Sequence, residues 1–178
     1  MPGRNSFARQ RVSAEFILSM ALMAFLTFTI GASLIHEMGH VFWTLVFGGS
    51  ISGMQFSWFW GDTFLAGNFA QWQLFIVYSG GTMFVLFFMI LLILYPEPLY
   101  TNIAATVLGF RNLIDGFPGM AGTDGYQMAR ISPVGAWSWY ALLFVAWAIA
   151  ISYVSGFKIS WKDTKRFGRR RPKKVKQE

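Results

Sequence analysis

The sequence predicts an all-α membrane protein with about four transmembrane helices and an irregular interfacial segment or hairpin between the first and second. The chain has 178 residues, of which 54% are hydrophobic and 13% charged, whereas soluble domains carry about 25% charged residues. Glycine is frequent, at 18 residues, and aromatic residues make up 19%. Both are typical of membrane helices that pack closely and end at an interface. From Phe16 to Gly156 the charged residues are few, namely Glu37, Asp62, Glu97, Arg111, Asp115, Asp124 and Arg130.

The remaining charge lies at the two ends of the chain. We expect a basic N-terminal segment (1–15), a membrane-embedded domain (16–157) and a basic cytoplasmic tail (158–178). The positive-inside rule and attraction to anionic lipids explain both basic ends, so membrane lipids are expected as partners and nucleic acid is not. The chain contains no cysteine, which excludes disulfides and thiolate metal sites.

The first apolar stretch runs from Phe16 to about Phe47. A helix of that length would reach about 48 Å, more than the roughly 30 Å hydrocarbon layer. It must therefore tilt, kink near Gly31 or emerge from the membrane. Residues 48–70 contain too many Gly, Ser and aromatic residues for a regular helix, and they predict an irregular or hairpin-like interfacial segment.

Three further spans follow. The second is predicted from Trp72 to Tyr95 and the third, which is short, from about Leu99 to Ile114. A brief helix is expected to begin at Asp124, and a last span extends from Pro133 to about Val154. Four spans place both basic termini on one side, predicted to be cytoplasmic. They also place the end of the first helix and the 115–124 loop on one common face.

An H-E-x-x-H sequence, His36 to His40, lies inside the first apolar stretch. Residues four apart share a helix face, so His36 and His40 can reach one tetrahedral zinc ion, Zn²⁺. Glu37 is then placed to deprotonate a zinc-activated water. These are the only histidines in the chain, and ionisable residues within a membrane segment indicate function. The alternative is a pair of helix-packing histidines with Glu37 in a nearby salt bridge.

A catalytic zinc site needs a third protein ligand, and here it must be a carboxylate. Glu97 falls on the opposite face of the predicted topology, and Asp62 lacks a supporting motif. Asp115 and Asp124 are each followed by glycine and lie on the expected side. Both remain candidates at this point.

The arrangement resembles the site-2 protease family of intramembrane zinc metalloproteases. Those proteins carry H-E-x-x-H in one membrane helix and, later, an Asn, prolines and an Asp-Gly that opens a helix; Asn112, Pro118 and Asp124-Gly125 follow this order. Tyr78-Ser79-Gly80-Gly81 is similar to the family's small-residue helix start. The resemblance covers residues 31 to about 131, most of the membrane body.

The resemblance implies hydrolysis of membrane-embedded or membrane-adjacent peptide bonds by a zinc-activated water. It implies His36, His40 and Asp124 as metal ligands, with Asp115 as runner-up, and Glu37 and Asn112 as catalytic residues. The gap from Asn112 to Asp124 is longer than usual in the family, and a second Asp-Gly pair, Asp115-Gly116, lies within it. Asp124 is preferred because helix-compatible residues follow it.

Simpler roles remain open for three of these polar residues. Asp115 can instead be the hydrogen-bond partner of a ligating histidine, or a carboxylate that caps a turn. Asn112 can be an ordinary polar residue at a helix C-terminus. Arg111 is interpreted as an interfacial anchor that is able to pair with Asp115.

The main alternative function is a catalytically silent member of the same architecture, acting as a subunit of a larger membrane complex. The expected partners are accordingly a membrane-protein substrate or neighbouring membrane subunits. An ion or metal transporter is disfavoured because the spans offer few polar groups for a pathway. The charge rule and the resemblance disagree on the side of the membrane that bears the zinc site. The charge rule places the site away from the cytoplasm, whereas the family commonly has it nearer the cytoplasm.

Overall fold

The first apolar stretch forms one continuous helical rod in the computed structural model, which describes residues 14–57, 59–94 and 98–154. It consists of α1 (Ala14–Leu26), a π-helical turn (Thr27–Gly31) and α2 (Ala32–Val46). The wide turn ends at Gly31, where the sequence predicted a kink. Such π-helical turns are frequent at functional sites, and the H-E-x-x-H residues lie on α2, directly after it.

A two-stranded antiparallel hairpin separates the first rod from the next helix. Its strands are β1 (Ser50–Phe56) and β2 (Gly61–Ala66), paired from Ser50 with Ala66 to Phe56 with Gly61. Of the two predicted alternatives, an irregular segment or a hairpin, the hairpin is the one observed. Its strands contact α2, so the hairpin lies against the helix that carries the histidines.

The centre of the bundle is α3 (Gln71–Leu94), which contacts α2, α4, α5 and α6. Gly39 of α2 and Gly80 of α3 lie at the crossing of these two helices, where a Cβ on Gly39 would collide with the Gly80 carbonyl. The helix backbones thus touch directly, as small residues allow in membrane bundles. The crossing fixes α2, and with it the histidine face, against α3.

The remaining helices complete the bundle. They are α4 (Pro98–Asp115), the short α5 (Asp124–Ile131) and α6 (Pro133–Val154). The predicted start of a brief helix at Asp124 and the bounds of the last span are confirmed. Leu108 of α4 packs with Ala32 and Val85 in a buried apolar cluster.

Three helices are long and apolar enough to cross a membrane, namely Ile17–Val46, Gln71–Leu94 and Pro133–Val154. Large apolar side chains on them are exposed, including Leu18, Leu94 and Ile149, as expected for surfaces that face lipid. This is consistent with a membrane protein. The predicted count of four transmembrane helices is not confirmed, because α4 is helical but carries Arg111, Asn112 and Asp115 in its last turns. The basic tail and residues 1–13 of the N-terminal segment lie outside the described residues.

Candidate metal centre

The two imidazoles of α2 face a carboxylate that comes from another helix. His36 Nε2 lies 2.6 Å and His40 Nε2 3.0 Å from the same oxygen, Oδ2 of Asp124. The ring centroids of the two histidines are 4.8 Å apart. Two ring nitrogens and one carboxylate oxygen therefore converge on one point.

His40 is held in one tautomer by the backbone of α3. Its Nδ1 lies 2.7 Å from the carbonyl oxygen of Val77, which can only accept a hydrogen bond. Nδ1 therefore donates to this carbonyl, which directs Nε2 toward Asp124. An imidazole oriented through its other nitrogen is typical of metal-ligating histidines.

The His36 ring occupies space that a glycine on α3, Gly81, leaves open. A Cβ on Gly81 would lie 2.5 Å from His36 Nε2, so only glycine leaves room for the ring in this position. The other ring nitrogen, Nδ1, is buried without a hydrogen-bond partner among the described residues. It lies 3.7 Å from Oδ2 of Asp115, which is too long for a direct hydrogen bond.

Two Asp-Gly pairs lie side by side at the site. A Cβ on Gly125 would collide with the Gly116 carbonyl, so the start of α5 lies directly against the turn after α4. This contact brings Asp115 and Asp124 to one cavity. Asp124 faces both imidazoles, whereas Asp115 accepts a hydrogen bond of 2.9 Å from Arg111 Nε. The distances favour Asp124 as the third ligand, although the choice over Asp115 stays a prediction.

Asp124 is the first residue of α5, and Thr123 caps this helix. The Thr123 hydroxyl accepts a hydrogen bond from the Tyr126 N–H at 3.2 Å and lies 2.8 Å from the Phe117 carbonyl, to which it can donate. Burial raises the pKa of the Asp124 carboxyl, but the imidazoles of His40 and His36 outweigh burial and hold its pKa well below the ordinary range. The carboxylate is therefore ionised and available as a ligand.

Glu37 lines the same cavity from the neighbouring position on α2. Its side chain is 3% exposed, and its Oε2 accepts a hydrogen bond of 2.6 Å from the Thr63 hydroxyl on β2. One ligand atom from each of His36, Glu37 and His40 lies within 4.8 Å of the others, so this group could hold a metal ion. Glu37 can thus act either as a base beside the ion or as a further ligand.

Asn112 lies away from this convergence. Its side-chain amide donates a 3.1 Å hydrogen bond to the Thr82 carbonyl on α3, and Asn112 is not among the described residues that line the cavity. The hydrogen bond joins α4 to α3, which is a structural role. A catalytic role for Asn112 stays a prediction.

The cavity that contains these groups has a volume of about 540 Å³. Its walls come from α2, the hairpin, α3, α4, the α4–α5 loop and α5, and they include Trp60, Asp62 and Arg111. The Arg111 guanidinium lies 5.4 Å from the Trp60 ring and 5.5 Å from the Phe28 ring. The anticipated pairing of Arg111 with Asp115 is present, and the cation–π contact with Trp60 attaches the hairpin loop to α4.

Sequence reasoning missed the partners that orient the site. Val77 acts through its backbone carbonyl, which no side-chain pattern reveals. Thr63 and Trp60 belong to the hairpin, and their contacts join segments far apart in the chain. Gly81 was noted only as part of a small-residue segment.

No known protein family, curated protein or solved structure matches this chain. Its function is therefore inferred from the site itself.

Proposed function

We propose that this chain is an intramembrane zinc metalloprotease of the site-2 protease type. The observation that carries the proposal is the convergence of His36, His40 and Asp124, with Glu37 in the same cavity. Two imidazoles and a carboxylate form a common ligand set for catalytic zinc, which leaves a fourth position for water or substrate. The substrate class is a membrane-embedded or membrane-adjacent peptide.

The donor atoms fit a zinc ion. Bond lengths of about 2.0–2.1 Å in tetrahedral geometry place neighbouring ligand atoms about 3.3 Å apart. The Asp124 oxygen lies 2.6 and 3.0 Å from the two ring nitrogens. Each of these two distances needs to open by less than about 1 Å to reach the tetrahedral spacing.

The roles of the chain's own groups follow from their positions. His36, His40 and Asp124 would hold the ion, which would supply Lewis-acid polarisation of a carbonyl and lower the pKa of water. Glu37 accepts the proton of the attacking water and returns it to the leaving amine. Hydrolysis needs an extended, unwound substrate segment, because the backbone of an intact helix is hydrogen-bonded and inaccessible.

The membrane topology belongs to the same proposal. In it, α4 is the fourth transmembrane helix beside the three apolar spans, and both termini are cytoplasmic. Partners are then a membrane-protein substrate, or neighbouring membrane subunits, within a lipid environment.

The second candidate is a catalytically silent subunit of a larger membrane complex. It is favoured by one observation, the proximity of Glu37 to the histidine nitrogens. If Glu37 were a fourth ligand, the site would be closed and structural rather than catalytic.

A reconstituted assay tests the proposal. Purified protein is placed in vesicles with fluorescently labelled single-span peptides whose spans are interrupted by glycine. We expect cleavage that a chelator abolishes and zinc restores, and that Glu37→Gln abolishes while zinc stays bound. His36→Ala and His40→Ala should lose both zinc and cleavage. Full activity of Glu37→Gln would contradict the role of this carboxylate.

A further inference from the structure

The hairpin contributes a side chain directly to the proposed base. The Thr63 hydroxyl of β2 donates to Glu37 Oε2 at 2.6 Å, a distance typical of a strong hydrogen bond to a carboxylate. Glu37 is buried and the hydrogen bond is partly buried, at the wall of the cavity that contains the histidines. The bond joins residues 26 positions apart in the chain, and it exists only because the hairpin folds onto α2.

The hairpin backbone approaches Glu37 closely enough to define this contact. A Cβ on Gly61 would lie 2.5 Å from Glu37 Cγ, well inside the ordinary carbon–carbon contact of about 3.5 Å. Glycine at this position therefore lets β2 lie directly on the glutamate. Thr63, two residues later on the strand, shares the same face.

A second contact attaches the hairpin to α4. The Arg111 guanidinium carbon lies 5.4 Å from the ring centroid of Trp60, in the loop before β2. Arg111 is itself held by Asp115 at 2.9 Å. The hairpin is thus attached to both α2 and α4. Two attachments to different helices limit its movement and so define the position of the Thr63 hydroxyl.

We propose that Thr63 is a positioning residue, whose hydroxyl holds the Glu37 carboxylate beside the metal as a base and prevents it from becoming a further ligand. This inference rests on the proposed function. A glutamate has several rotatable bonds, and a ligand atom of Glu37 lies within 4.8 Å of the histidine nitrogens. Without a partner on Oε2, the attraction of a divalent cation would draw this carboxylate onto the ion. The Thr63 hydrogen bond opposes that movement, and the hairpin therefore keeps the site open for water and substrate.

Cobalt substitution tests the proposal without requiring turnover. The metal-free protein is loaded with Co²⁺ alone, whose visible absorption reports the number and type of its ligands. We expect Thr63→Val to change the spectrum, because the released Glu37 carboxylate joins the ion. Thr63→Ser, which keeps the hydroxyl, should give the wild-type spectrum. The double variant Thr63→Val with Glu37→Gln should also return to the wild-type spectrum, because the added carboxylate is gone.

Peptide cleavage provides the second measurement. Thr63→Val should lower kcat by about 10- to 100-fold, the range found for partners that orient groups at metal sites. KM and zinc content should stay near wild type, and Thr63→Ser should restore turnover. Thr106→Val is the matched control, since it removes a threonine hydroxyl that bonds the Asn102 carbonyl within α4, and it should change neither measurement.

The outcomes separate this inference from the proposed function. A wild-type cobalt spectrum for folded Thr63→Val, verified by thermal unfolding, overturns the positioning role and leaves the metal site intact. A change that persists in the double variant also overturns it, because Glu37 would not be its cause. Failure of the wild type to bind cobalt overturns the proposed function and the positioning role together.

Discussion

Replacing Gly81 by alanine should weaken metal binding while leaving the bundle folded. The new Cβ would lie 2.5 Å from Nε2 of His36 and 2.6 Å from its two neighbouring ring carbons. Ordinary contacts begin at about 3.5 Å, so the ring must retreat by about 1 Å. This displacement takes the ligand nitrogen out of the position beside Asp124 that the missing side chain of Gly81 leaves open for it.

The size of the effect follows from that movement. Displacing a functional group by about 1 Å can lower the activity of a site by up to about 100-fold. We expect zinc affinity to fall by about 10- to 100-fold, equivalent to about 1.4–2.7 kcal/mol. Overpacking in a well-packed interior costs a further ~1–3 kcal/mol of stability, so thermal unfolding of the metal-free protein is measured in parallel.

Zinc affinity is measured in detergent by competition with a chromophoric chelator. The matched control is Gly31→Ala, because a Cβ at Gly31 meets its nearest atom at 3.7 Å, an ordinary contact. This variant should bind zinc like the wild type. Unchanged zinc affinity in folded Gly81→Ala would refute the placement of the His36 ring against α3.

Two further variants test the elements that position the site. Thr123→Ala removes the cap of α5, so we expect a loss of about 1 kcal/mol of stability and weaker zinc binding through Asp124; thermal unfolding with and without zinc measures both, and an unchanged melting temperature would contradict the cap. Arg111→Met keeps an aliphatic stem but removes the guanidinium and with it the contacts to Asp115 and Trp60. We expect faster proteolysis within the hairpin, whereas wild-type resistance would show that Arg111 does not anchor it.

The helices were largely predictable because their signals are local. The apolar run after Pro133 gave α6, and the turn residues before Asp124 gave the start of α5. The Gly, Ser and aromatic content of residues 48–70 excluded a regular helix there and left an irregular segment or a hairpin as the alternatives. The sequence did not settle whether α4 crosses the membrane. The polar residues in its last turns are compatible with a helix end in water and also with a functional site inside the protein.

The candidate site was predictable only in part. The spacing of His36 and His40 places both rings on one face by helix geometry alone. From the sequence, Asp115 and Asp124 were alternative candidates for the third ligand. In the structure, the contact between Gly116 and Gly125 brings both carboxylates to the cavity. The orienting partners depend on tertiary contacts, such as the hydrogen bond from Thr63 to Glu37, and no local pattern encodes them.

Metal content of the purified protein tests the central claim most directly. Wild type, Asp124→Ala and Asp115→Ala are prepared in parallel, and zinc is measured per chain by atomic spectroscopy. We expect about one zinc per chain in the wild type, little or none in Asp124→Ala, and substantial retention in Asp115→Ala. A wild type without stoichiometric metal, or an Asp124→Ala variant that retains it fully, would contradict a site built from His36, His40 and Asp124.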